Sequence, residues 1–427
     1  MQTPLLHMNR RRVKVCAIQL LAHDRPSLPR VWPGISQRIA QAAKGGAQLI
    51  VLPEGTLPSY VLGRSPFDEA EIAGPLAACA TLARDLKIVL VVGAARVHEG
   101  RIYNSALVFD TNGEMAGSAD KHFLWHFDRQ WFSAAEHIAP VRTSLGNLGI
   151  LICADGRIPT IARTLVDRGA EILAMPTAWV TSGRDPGALE NIQADLLARV
   201  RARENGVPFV AANKCGVELR SVAYCGKSQI IAADGTLAAV ASETDPEIVT
   251  AEVQIGGAQP QRAGEIRVPW SAARMEHPTR LAISVDESFA GDSDLLGILE
   301  AAAVLTPASA AERCACVSDD IVFDPGGLAA YRLAGVDVAA WPTRSSGAWQ
   351  MSFARARAVE LRMYVVVFDL KAGRAYAVDP DGQIVCGTFG ECKVASFTYD
   401  PARTAQTLVA PGTDVLAGLE RAHAHAR

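Results

Sequence analysis

Short, uninterrupted apolar runs that each end on one reactive side chain constrain this chain more than any other feature. Leu148-Gly149-Ile150-Leu151-Ile152 leads directly into Cys153, and Leu49-Ile50-Val51-Leu52-Pro53 leads into Glu54. A strand with no polar face must be buried on both sides, which asks for a sheet covered by helices. Residues 13–20 read as another strand, and Ile35, Ile39 and Ala43 mark one face of a helix that Gly45-Gly46 stops. An alanine-rich helix is expected over 68–86, then two strands, 88–97 and 102–109, joined at Glu99-Gly100. After Cys153 a helix through Ile161, Leu165 and Val166 ends at Gly169. A strand over 171–175, a long helix over 187–205 and strands over 208–212, 228–232 and 236–241 complete the alternation. This is the pattern of an α/β chain, in which reactive groups collect at the carboxyl ends of strands.

The chain has 427 residues, more than one ordinary core accommodates. Its net charge of −3 and the lack of a long basic run argue against nucleic acid or an anionic membrane as partner. Arg10-Arg11-Arg12 precedes a short strand, not the apolar core of a leader, and no apolar run reaches the ~18 residues of a membrane span. Nine unpaired-looking cysteines suit a reducing, cytoplasmic setting. Cys314-Ala315-Cys316 lacks a second pair at zinc-ligand spacing, and Gly226-Lys227-Ser228 lacks the first glycine of a phosphate loop. His423-Ala424-His425 reads as a frayed tail. Nothing calls for a metal or an organic cofactor.

Three blocks recur in the same order. Gly169–Thr177 is echoed by Gly335–Thr343, Arg201-Ala202-Arg203-Glu204 by Arg357-Ala358-Val359-Glu360, and Asp234-Gly235 by Asp381-Gly382. The second half is therefore expected to be a partial, degenerate repeat of residues 145–255. It has no room for a copy of 50–140, the stretch carrying Glu54 and Lys121; gap-free counting puts Asp319 opposite Cys153, and a three-residue insertion would put Cys316 there. The expected division is a catalytic domain over 1–255, a Gly/Pro/Gln/Arg-rich connector over 256–279, and a domain over 280–427 without the reactive trio. A half-sandwich alone would expose apolar sheet. The second half is thus expected to pack on the first as an internal pseudo-dimer, with a homo-oligomer also open.

Leu52-Pro53-Glu54, Asp120-Lys121-His122 and Ile152-Cys153-Ala154-Asp155-Gly156-Arg157 together resemble the nitrilase, or carbon–nitrogen hydrolase, superfamily across residues 13–255. The resemblance implies an α-β-β-α sandwich with a Glu-Lys-Cys triad at Glu54, Lys121 and Cys153. Asp128 stands where many members carry a second, supporting glutamate, and Thr160 where they carry another glutamate. Ala-Asp-Gly after the cysteine is similar to the amidase branches; nitrilases proper usually carry Trp-Glu there.

The chemistry follows from what amide cleavage needs. A free thiol of pKa ~8.5 is mostly protonated at neutral pH and requires a base or a neighbouring cation. Glu54 is expected to take the Cys153 proton, pass it to the leaving nitrogen, and later activate water. Lys121 and the backbone N–H of Ala154 are expected to stabilise the oxyanion. Arg157 could grip a substrate carboxylate or brace its own loop through Asp155 or a backbone carbonyl, and Trp179 could line the pocket or fill the core. Taken singly the trio is unremarkable: an inert buried thiol, a capping acid and a solvated lysine. Together, in order, they point to hydrolysis of a linear amide or N-carbamoyl bond. A nitrilase, an acyl transferase and a non-catalytic binding protein are the alternatives, and loops at 56–66, 122–140 and 178–190 would decide among substrates.

Overall fold

The apolar run before Glu54 becomes the strand Leu49–Val51, buried along its length. It pairs in parallel with Arg11–Ile18 on one side and Val89–His98 on the other, the central place that a strand without a polar face demands. Ile248–Ile255 closes one edge antiparallel to Arg11–Ile18; Arg101–Phe109 and then Met115–Asp120 close the other. The expected hairpin turns on Glu99 (φ 50°) and Gly100 (φ 74°), the left-handed pair that matches strand twist. A second six-stranded sheet runs in the order Leu237–Val240, Gln229–Ile231, Phe209–Ala212, Ile172–Pro176, Gly146–Ile150, Val141–Thr143.

The two sheets face each other. Helices Leu28–Lys44 and Ala70–Leu86 cover the first sheet, and Pro159–Asp167 and Ala198–Asn205 cover the second. The result is an α-β-β-α sandwich. Leu28–Lys44 buries Leu28, Ile35, Ile39 and Ala42, one residue away from the expected face at its last turn. The helix expected over 187–205 is interrupted: a π-helical turn, Gln193–Leu197, leads into Ala198–Asn205, and residue 187 lies outside the described residues. One inserted residue per turn leaves no trace in a periodic pattern.

The computed structural model describes residues 10–181, 188–257, 260, 262–264, 266, 268, 275–345 and 347–426. Much of the expected connector, 256–279, lies outside them. The chain divides after Pro260, and Ala422–Arg427 group with the first unit. His423 and His425 belong to the helix Val415–Ala426, not to a frayed end, and Arg168 Nη2 donates to the His425 carbonyl (3.1 Å). All nine cysteines are free thiols. No helix among the described residues is long and apolar enough to cross a membrane.

The second unit holds a three-stranded sheet, with Thr279–Ile283 between Ala303–Leu305 and Ala395–Tyr399. Leu408–Ala410 pairs with Thr413–Asp414 in a small further sheet, and a five-stranded sheet runs Ala315–Cys316, Val338–Thr343, Tyr364–Asp369, Arg374–Val378, Ile384–Gly387. Order and directions are those of five strands in the first unit's second sheet, down to a register shift between the last two in each. Local bonding also matches. Arg201 Nε donates to Gly156 O (3.0 Å) and Arg357 Nε to Val322 O (2.8 Å). Arg199 Nε donates to Gly235 O (3.1 Å) and Arg355 Nε to Gly382 O (2.9 Å). Arg201 pairs with Glu204, and Arg357 with Glu360, all four fully or almost fully buried.

Candidate active site

Glu54, Lys121 and Cys153 each follow the carboxyl end of a strand: Leu49–Val51, Met115–Asp120 and Gly146–Ile150. Two glycines let Glu54 reach its place. A Cβ on Gly93 would sit 2.3 Å from the Pro53 carbonyl, and Gly55 (φ 56°) turns the chain so sharply that a Cβ there would meet Tyr60 Cα at 2.4 Å. Glu54 N donates to Thr177 O (3.3 Å), tying the strand ends of the two sheets together beside Cys153.

Lys121 Nζ lies 2.7 Å from Glu54 Oε1 and 2.7 Å from Asp128 Oδ2, and all three side chains are fully buried. Asn104 Nδ2 donates to the same Glu54 Oε1 (2.6 Å). Glu54 Oε2 is buried and makes no hydrogen bond to another protein group. Thus one carboxylate oxygen is fixed and the other is available for a proton. Asp128 sits in the 3-10 turn His126–Gln130, where it accepts from Trp125 N (2.9 Å) and from the Tyr60 hydroxyl (2.9 Å) as well as from Lys121. The turn brings the shorter acid close enough to hold the lysine.

The strand expected to run to Cys153 ends at Ile150, and Cys153 opens a 3-10 turn, Cys153–Arg157, in the left-handed region (φ 47°). A non-glycine residue held there is strained, a state that clusters at functional sites. The Thr177 hydroxyl and the Ala178 amide both favour the ionised form of its sulfur, and Thr177 Oγ1 is buried without a hydrogen-bond partner. Asp155 does not serve as the expected partner for Arg157. Its carboxylate accepts from Ile152 N (3.0 Å), His122 N (3.0 Å) and Phe123 N (2.7 Å), lashing the Cys153 turn to the segment after Lys121. The Arg157 guanidinium instead stacks over the Trp125 ring at 4.6 Å. Ala154 is buried directly after Cys153. Trp179 is fully buried; its N–H donates to Asn213 Oδ1 (2.7 Å), and its indole Nε1 makes no hydrogen bond. Residues 182–187 of the expected 178–190 loop lie outside the described residues.

Burial sets the electrostatics. It pushes the Cys153 thiol up to about 12, with Glu54 adding to the rise while Lys121 and Thr177 oppose it. Burial therefore favours the thiol form of the resting sulfur. Burial also raises Glu54 above the ordinary carboxylate range; Lys121 and Asn104 pull it back and Asp128 adds to the rise. For Lys121 burial works downward, yet Asp128 and Glu54 overcome it and hold the ammonium well above its usual value. The arrangement is a firm cation beside a carboxylate with raised proton affinity and a neutral thiol. It can move a proton off sulfur and steady a new negative charge.

Asn104 and Tyr60 escaped the sequence reading. Asn104 is a buried polar residue in a strand interior, and that mismatch with its neighbours was the available signal. Tyr60 looks like any core aromatic until its hydroxyl is seen on Asp128.

The family model for carbon–nitrogen hydrolases matches residues 14–263. A probable nitrilase of Schizosaccharomyces pombe is 30% identical over 220 residues, spanning 50% of this chain and 78% of that protein. An (R)-stereoselective amidase of Pseudomonas sp. is 31% identical over 193 residues, 44% of this chain and 66% of that one. The crystal structure of a carbon–nitrogen hydrolase from Helicobacter pylori G27 superposes with a TM-score of 0.51 at 27% identity, covering 57% of this chain and 89% of that one. The matched segment is the first unit, where the sandwich and the buried trio both lie, so the chain belongs to the carbon–nitrogen hydrolase family and is a hydrolase of carbon–nitrogen bonds other than peptide bonds.

Proposed function

We propose that the first unit hydrolyses a linear amide or N-carbamoyl compound through an acyl intermediate on Cys153. The observation that carries this reading is Glu54: Oε1 is held by Lys121 and Asn104, while Oε2 is buried without a protein partner. As the sulfur attacks the carbonyl carbon, its proton passes to Glu54 and an S–C bond forms. Lys121 and the Ala154 amide stabilise the tetrahedral oxyanion; losing one such donor typically costs about 3 kcal/mol in barrier. Glu54 then gives its proton to the departing nitrogen as the C–N bond breaks. Water, deprotonated by Glu54, attacks the acyl carbon, the C–S bond breaks, and the thiol recovers its proton. Asp128 positions Lys121. Arg157 and Trp179 belong to the substrate-facing wall, Arg157 as a braced cation and Trp179 through its open indole N–H.

An amide is favoured over a nitrile because Ala154-Asp155 follows the cysteine and Asp155 is committed to three backbone amides. The test is ammonia release from a panel of linear amides, N-carbamoyl amino acids and nitriles. Release from an amide or carbamoyl compound supports the reading, whereas release from nitriles alone would replace it with a nitrilase. Residues 280–421 add no second reactive centre in this reading. Nine free thiols support a cytoplasmic setting.

A further inference from the structure

Tyr60 is shared between two buried lysine–acid–tyrosine sets, and hydrolysis as proposed uses only one. In the second, Lys214 Nζ donates to Glu218 Oε2 (3.1 Å), and the Tyr224 hydroxyl donates to the same oxygen (2.7 Å). It parallels the first set, in which Lys121 and the Tyr60 hydroxyl both bond Asp128. The Tyr60 ring centroid is 5.9 Å from Lys121 Nζ and 5.9 Å from Lys214 Nζ, and Tyr224 meets Tyr60 edge-on at 6.4 Å. Tyr224 is bridged to Val180, two residues past Ala178, whose amide faces the Cys153 sulfur. Glu218 Oε1 accepts from Val61 N (2.8 Å), fixing the segment that carries Tyr60. The second set therefore stands on the wall of the Cys153 site.

An ammonium has three N–H donors. In Lys214 one meets Glu218, and among the described residues the others have only the faces of Tyr60 and Tyr224 (5.4 Å). Buried ion pairs of this kind often add no more stability than well-packed apolar residues of similar volume. We infer that Lys214 is a specificity-determining residue, its ammonium donating to a carbonyl or carboxylate oxygen on the non-reacting part of the substrate, between the Tyr60 and Tyr224 rings. This rests on the Cys153 site being where substrate binds. The substrate class is an amide whose acyl part bears a second oxygen acceptor.

Binding, separated from turnover, tests it. In the full chain carrying Cys153→Ala, calorimetry measures butyramide, succinamide and succinamate. At least one of the two oxygen-bearing amides should bind ~10-fold or more tighter than butyramide. Succinamide alone identifies a neutral carbonyl as the recognised group, and succinamate alone a carboxylate. Adding Lys214→Met should bring the ratio to near one, as should Lys214→Met with Glu218→Gln, which leaves no unpaired carboxylate to unfold the wall. Lys214→Arg should keep the preference. No preference in the parent, or a preference that survives both methionine variants, overturns the inference. Failure of the wild type to turn over any amide strikes the hydrolytic reading instead.

Discussion

Cys153 and Asp319 occupy the same place on two sheets of the same design. Leu151 N donates to Ala174 O (3.1 Å) in the first unit, and Val317 N to Ala340 O (2.8 Å) in the second. Two residues further on, the first sheet presents Cys153 and the second Asp319. The Thr177 hydroxyl is buried without a hydrogen-bond partner, while the Thr343 hydroxyl donates to Asp319 Oδ1 (2.5 Å), joined by Trp341 Nε1 (2.8 Å). The scaffold bonds are alike; the reactive groups are not. The reason lies in the facing sheet. Glu54, Asn104 and Lys121 all come from the first unit's other sheet, and the second unit has a three-stranded sheet, Thr279–Ile283 with Ala303–Leu305 and Ala395–Tyr399, in addition to the matching one. One sheet offers a position, and two facing sheets are needed to make it chemistry.

The sharpest break between the two would come at those matched positions. Cys153→Ala should lower amide turnover by at least about 10⁴-fold, and Asp319→Ala should leave it within about twofold, measured by steady-state ammonia release. The buried pairs should instead respond alike. Arg201→Met and Arg357→Met each remove an ion-pair partner of a buried glutamate, and each should cost about 3–5 kcal/mol of stability in chemical denaturation. Only Arg201→Met should also reduce kcat, because Arg201 holds the Gly156 carbonyl in the Cys153 turn. Equal losses of kcat from both would erase the distinction.

Asp128→Asn addresses the electrostatics of the first unit alone. Asp128 helps raise the proton affinity of Glu54, which must be deprotonated to act as base. Removing that charge lowers the Glu54 pKa, so the acid limb of kcat/KM should move to lower pH, while loss of the grip on Lys121 lowers kcat by up to about 10²-fold. An acid limb moving to higher pH would refute the assignment of Glu54 as base. The smallest effect belongs to Asp319→Cys. A thiol there, without a facing acid and lysine, should take up no acyl group by intact mass and leave turnover unchanged.

Much of this was legible in the chain because buried strands are spelled in apolar runs and the reactive residues punctuate them. Leu49–Val51 before Glu54 and Gly146–Ile150 before Cys153 needed no tertiary information. The Arg201–Glu204 and Arg357–Glu360 pairs were visible as a recurring spacing, although their burial was not. What stayed hidden depends on contacts across the sandwich. Asn104 on Glu54 spans 50 residues and Tyr60 on Asp128 spans 68, and neither spacing carries a local signal. Asp155 was one of the partners open to Arg157, its near neighbour, but backbone amides from across the site take its carboxylate. The left-handed backbone at Cys153 is likewise unreadable, since nothing in Ile-Cys-Ala-Asp announces a positive φ.

Hydrolysis as proposed requires a covalent bond to one sulfur. Intact mass spectrometry of the full chain, acid-quenched while hydrolysing an amide found by ammonia release, tests it directly. The predicted result is a single acyl adduct, mapped to Cys153 and absent from Cys153→Ala. Turnover with no adduct on Cys153, or an adduct on any other residue that persists in Cys153→Ala, would contradict it.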